Sequence, residues 1–136
     1  MKRTLCSVLL SLFLLAACGE QNGSPASGPV STPVPVPAEF AGNENPFGPE
    51  AAAAGAEIFR TNCETCHGPQ GHGDGPAGQS LSPKPQDLSE LQKIAGDDYL
   101  FWRIYDGKPG TSMVAWKGIL TDEEIWQVVS FIRTLE

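Results

Sequence analysis

The stretch Cys63-Glu64-Thr65-Cys66-His67 constrains this chain more than any other. Two thiols separated by two residues can reach the same edge of one porphyrin and add to its two vinyl groups. The histidine directly after the second thiol is then held beneath the iron, where its imidazole can serve as the proximal ligand. The pattern reads as a covalent attachment site for one c-type haem. Half of a zinc site would need a second pair of cysteine or histidine ligands, and none follows. A thioredoxin-like redox pair would need a strand-helix-strand setting, which the flanking sequence lacks.

The start of the chain has the form of an export signal. Lys2 and Arg3 precede an apolar run from Leu5 to Ala17, broken only by Ser7 and Ser11. That run is short for a membrane-spanning helix, which needs about 20 residues. It ends Leu15-Ala16-Ala17-Cys18, which resembles the bacterial lipoprotein box. The expectation is a signal peptide over residues 1–17 and a lipidated Cys18 as the mature N-terminus. The competing readings are an uncleaved short anchor, or an ordinary signal with an accidental cysteine. Each of the four cysteines then has its own role. Cys6 leaves with the signal, Cys18 carries lipid, and Cys63 and Cys66 carry haem, so no disulfide is expected. Removing Lys2 and Arg3 leaves seven basic residues against sixteen acidic ones. Nucleic acid and anionic lipid headgroups are poor partners for such a surface, whereas a basic partner is steered toward it.

Residues 18–45 read as the lipidated N-terminus followed by a Pro/Gly/Ser-rich linker. Alternating prolines in Val-Ser-Thr-Pro-Val-Pro-Val-Pro favour extended polyproline II. At about 3.1 Å per residue such a tether reaches on the order of 80 Å. It serves either as a disordered tail or as a segment that becomes ordered along a partner. Residues 46–136 form the expected domain. A first helix begins near Pro49 and runs through four alanines, Gly55 and Phe59 to Arg60. The run from Gly68 to Pro76 is loop by composition, with no GKS or GKT ending that would mark a phosphate cradle. A short helix is expected near residues 88–95. Another runs from Asp97 to Asp106, with acids at its start and Gly107 placed to end it. The last helix has Thr121 as N-cap and Glu124 three residues on, a capping box. Its Ile125, Val128, Val129 and Ile132 fall at helical spacing, and Gly55 with Phe59 is the natural surface to receive them. No strand pair and no internal repeat is visible, so the fold class is all-α.

A second iron ligand must come from elsewhere in the chain. After signal removal Met113 is the only methionine, and it lies in a Pro-Gly loop rather than on an apolar helical stripe. A thioether ligand favours the reduced iron. His72 competes, but it follows His67 by only five residues and would have to reach the opposite iron face. Met113 is therefore the expected distal ligand, and His72 a solvated loop residue.

From about Pro46 to Glu136 the chain resembles class I mono-haem cytochromes c. The matching residues are Gly55 and Phe59, Cys63, Cys66 and His67, the Gly-Asp-Gly-Pro loop ending at Pro76, Met113, and Val128 with Phe131. The resemblance implies N- and C-terminal helices crossing around one covalently bound haem c, with thioether bonds to Cys63 and Cys66. It implies His67 and Met113 as axial ligands, and a proline carbonyl, that of Pro76, fixing the His67 ring. Val114 stands where many relatives have proline.

The implied activity is electron transfer, with no catalytic residues. The lipoprotein signal and proline linker also resemble membrane-anchored cytochrome subunits, one of which belongs to the bacterial alternative complex III, a quinol-oxidising assembly. The expected setting is the bacterial cell envelope, with the domain on the periplasmic or extracellular side. Redox proteins are the expected partners, nucleic acid is not, and the membrane is reached through lipid on Cys18. The alternative is a haem enzyme or gas-binding sensor whose distal ligand is displaced, with His72, Arg103 or Tyr105 near the iron.

Overall fold

The computed structural model describes residues 31–136, so the signal segment and Cys18 lie outside the described residues. One 3-10 turn, Pro49–Ala51, leads into α1, Ala52–Asn62, and a second, Gly78–Ser80, lies in the loop after the haem motif. Then come α2, Glu64–His67, which is the haem motif itself, α3, Leu88–Leu91, α4, Asp97–Asp106, and α5, Asp122–Ile132. No β-strand occurs among the described residues. Each expected helix is present, with the one near residues 88–95 shortened to a single turn.

The N- and C-terminal helices cross at Gly55. A β-carbon there would lie 1.9 Å from the Gln127 carbonyl oxygen, so only glycine lets the two backbones approach this closely. Beside the crossing, the Phe59 and Phe131 rings meet at 5.0 Å between centroids. Phe59, Ile125, Val128 and Val129 are almost completely buried. Each such side chain stabilises the fold by about 1.5–3 kcal/mol relative to exposure. The capping box forms as expected. The Thr121 hydroxyl accepts from the Glu124 N–H at 3.2 Å, and the Glu124 carboxylate accepts from the Thr121 N–H at 2.7 Å. At the other end of α5, Arg133 donates to the Asp97 carboxylate at 2.6 and 2.8 Å, to the Ala95 carbonyl at 2.9 Å and to the Gln92 carbonyl. One guanidinium thereby fastens α5 to the turn between α3 and α4.

Val36 and Phe40 pack on the core, and a turn brings the Phe40 and Ala41 N–H groups to the Pro37 carbonyl at 2.9 and 3.0 Å. The Gly42 N–H bonds the Asp98 carboxylate at 3.0 Å. Asn45 donates to the Trp126 carbonyl at 3.1 Å and to the Ser130 hydroxyl at 2.9 Å. Residues 36–45 therefore form a strap held against α4 and α5. Polar contacts across more than fifty residues of sequence, with one aromatic anchor, are what hold it.

Candidate haem site

Helix α1 passes into the haem motif without a break. Cys63 caps α1, and its carbonyl accepts from the Cys66 and His67 N–H groups at 3.1 and 2.9 Å. The spacing i, i+3, i+4 gathers Cys63, Cys66 and His67 on one side of this turn. All three line one cavity. Its walls are apolar, built from Phe59, Leu88, Leu91, Leu100, Ile104, Val128 and Ile132.

Met113 lines the same cavity from the loop between α4 and α5. The loop is anchored at both ends. Gly107 has a positive φ of 71°, and a β-carbon on it would meet the Met113 carbonyl at 2.6 Å. The Lys108 N–H donates to that carbonyl at 3.0 Å, and the Thr111 hydroxyl accepts from the Met113 N–H at 3.1 Å. Trp116 returns the chain to α4 through N–H bonds to the Ile104 and Tyr105 carbonyls at 3.1 and 3.2 Å.

The donor set fits a covalently held haem. Burial pushes the Cys63 thiol up to about 12, with the neighbouring Cys66 adding to the effect. It is thus a protonated thiol, whereas dithiol redox pairs depend on a stabilised thiolate. Both cysteines are free of disulfide bonding. Burial pulls His67 below its ordinary range, and the Gln86 backbone beside the ring opposes this. A neutral imidazole is the form that ligates iron. The His67 Nδ1 and the Arg103 Nε are both buried, and neither has a well-aligned hydrogen-bond partner. Arg103 also lines the cavity, with its guanidinium 3.8 Å from the Trp102 ring centroid. A half-buried cation with an unpartnered Nε beside an apolar slot suits the anionic propionates of a porphyrin. Among the described residues no cluster of three or more His, Cys, Asp or Glu could hold a bare metal ion.

Two of the expected residues have surroundings that the sequence does not show. Pro76 is exposed and does not line the cavity. Pro83 to Gln86 line the cavity together with His67, and the two prolines keep this segment extended. The backbone group beside the imidazole is that of Gln86. Sequence reading missed Gln86 because a main-chain contact leaves no residue-type signature. His72 is not a free loop residue either. Its Nδ1 lies 3.3 Å from the Asp87 carboxylate, and Asp87 is buried. Asp87 also caps α3 through the Ser89 and Glu90 N–H groups. His72 is absent from the cavity lining, as is Tyr105, whereas Arg103 is part of it.

Fold and cavity together define a small all-α haem protein of the c type. Residues 50–132 match the family described as Cytochrome C oxidase, cbb3-type, subunit III, and the chain belongs to this cytochrome c family. It is 32% identical over 90 residues to the Cbb3-type cytochrome c oxidase subunit FixPc of Rhizobium leguminosarum bv. viciae, covering 66% of this chain and 30% of that protein. It is 33% identical over 67 residues to the Photosystem II extrinsic protein V of Gloeobacter violaceus, covering 49% of this chain and 32% of that protein. The chain thus spans about a third of the length of these relatives. Among solved structures, the Kuenenia stuttgartiensis reducing HAO-like protein complex superposes with a TM-score of 0.56 at 26% identity. That match covers 64% of this chain and 45% of the other. The fold is the all-α cytochrome c fold, and the cofactor is covalent haem c.

Proposed function

We propose that this chain is a membrane-tethered electron carrier, with Cys63 and Cys66 as the haem thioethers and His67 and Met113 as the axial ligands. The observation that carries the ligand set is the single cavity lined by all four side chains. Bound haem c supplies a one-electron couple between ferrous and ferric iron. The chain's own part is to exclude water with apolar walls, present a neutral imidazole and a thioether, and offer the Arg103 guanidinium as a cation that would pair with the propionates. His67 and Met113 would hold the iron from the protein, and one-electron transfer would need no acid-base pair.

The tether is lipid on Cys18, followed by the Pro/Gly/Ser-rich linker up to the strap near residue 36. No helix among the described residues is long and apolar enough to cross a membrane. The domain acts outside the cytoplasmic membrane with redox proteins as partners. Its lipoprotein signal and linker support a place as a subunit of a quinol-oxidising complex of the alternative complex III kind.

The test of the ligand set is spectroscopic. In Met113→Ala the oxidised protein loses its weak near-infrared sulfur-to-iron band, and the reduced protein binds carbon monoxide. His72→Ala keeps the band, because His72 is engaged with Asp87. The opposite pattern would assign the distal position to His72 and favour an openable site. For the tether, mass spectrometry of the mature protein shows acyl chains on Cys18 and no residue before it. An unmodified Cys18 would refute that part alone.

A further inference from the structure

Helices α4 and α5 each serve two surfaces. Leu100, Arg103 and Ile104 face the haem cavity from α4, as do Val128 and Ile132 from α5. On other faces, Phe101 with Tyr105 and Asp122 with Trp126 are i, i+4 pairs. These four line a separate groove, closed on one side by the strap. No residue lines both the groove and the haem cavity.

The groove has an aromatic floor and an acidic rim. Phe101 stacks on Trp126 at 4.3 Å and on Tyr105 at 5.7 Å between centroids, and Phe40 of the strap meets Tyr105 at 5.5 Å. Glu39, Glu44 and Asp122 stand exposed around it. Among the described residues none of these three carboxylates has an ion pair or a side-chain hydrogen bond. Elsewhere on the surface Glu57 is matched by Arg60, Glu90 by Lys93 and Asp106 by Lys117, while Glu64 and Glu136 stand singly. Phe101 is buried against Trp126 and Tyr105, and the Lys117 ammonium lies 5.8 Å from the Tyr105 centroid, so the uncompensated negative charge stands beside the partly exposed rings of Trp126 and Phe40, whose faces attract cations.

We propose that this groove is a docking site for a basic, arginine-bearing segment of a protein partner. A guanidinium is planar, so it stacks on aromatic faces and pairs with carboxylates through two parallel N–H bonds. Three unmatched carboxylates call for more than one cation, which a segment supplies and a single small ammonium does not. A partner seated here leaves the haem cavity free for electron exchange. This goes beyond the carrier reading and does not depend on which side chain ligates the iron.

The test uses the haem-loaded full chain in its ferrous, diamagnetic state, titrated with a hexa-arginine peptide and followed by NMR. Saturable shifts are expected at the ring signals of Phe40, Tyr105 and Trp126. Glu39→Gln/Glu44→Gln/Asp122→Asn should weaken binding about tenfold, the combined effect of three exposed ion pairs. Glu57→Gln/Glu90→Gln should leave it unchanged, and the haem absorption spectrum of both variants checks that they fold. Equal weakening in the two variants would mean diffuse attraction and overturn the proposal. Shifts centred on Met113 and Val114, absence of saturable binding, or equally tight binding of tetramethylammonium would each overturn it as well.

Discussion

Gly55 carries a constraint out of proportion to its size. A β-carbon at this position would overlap the Gln127 carbonyl, which is backbone and cannot rotate away. In an isolated helix alanine is favoured over glycine by about 1 kcal/mol, so any loss in Gly55→Ala reports the helix crossing and not helix propensity. Overpacking costs about 1–3 kcal/mol, and a main-chain clash belongs at the upper end. Denaturant unfolding of the haem-loaded variant is the measurement, and a neutral or stabilising result would contradict the observed crossing. Arg103 makes the complementary case for charge. Its buried Nε is unsatisfied and its guanidinium faces the cavity. A cation near the haem favours the ferrous over the ferric state, so Arg103→Gln should lower the reduction potential in a voltammetric titration. An unchanged potential would place the guanidinium outside the haem field.

At the level of elements, α5 shows how far local rules extend. The carboxylate of Glu124 sits below its ordinary value because it accepts hydrogen bonds from the Thr121 N–H and, secondarily, from its hydroxyl. A lowered folded value means stability that is present above the unfolded value of 4.5 and is lost as pH falls through the folded one. The stability gap between wild type and Glu124→Gln should therefore hold steady above that pH and close in more acidic solution. Thr121→Ala should cost about 1 kcal/mol at neutral pH, read by thermal or denaturant unfolding. The same cap and the 3.6-residue spacing made α5 legible in sequence, and its mate α1 was legible through its alanines and Pro49. The strap was not. Phe40, Gly42 and Asn45 sit amid prolines and bond residues more than fifty positions away, so they leave no local period to read. In the site, the cysteines, His67 and Met113 announced themselves by chemical type. The contacts of Gln86 and of the His72–Asp87 pair became visible only when the chain was folded.

On the scale of the whole molecule, charge is segregated rather than merely negative. The chain carries a formal charge of −7, yet the haem cavity is lined by Lys84, Arg103 and Lys108 and by no carboxylate. The unmatched acids Glu39, Glu44 and Asp122 gather instead at the groove on the other faces of α4 and α5. Net charge alone would steer any cation toward the protein without preference for a face. The segregation separates a basic cavity mouth from the acidic groove proposed above as a docking site. Local and global fields can be told apart with a small anionic oxidant such as hexacyanoferrate(III). Lys84→Gln/Lys108→Gln removes two positive charges at the mouth, and Arg60→Gln/Lys93→Gln removes the same number elsewhere. Both variants change the net charge equally. If the mouth directs encounter, the first should slow oxidation of the ferrous protein several-fold at low salt and the second far less. The difference should vanish near 1 M salt, where the screening length is about 3 Å. Stopped-flow absorbance of the haem supplies the rates. Equal slowing in the two variants would show that only net charge matters, and the lysines at the cavity would then have no directing role.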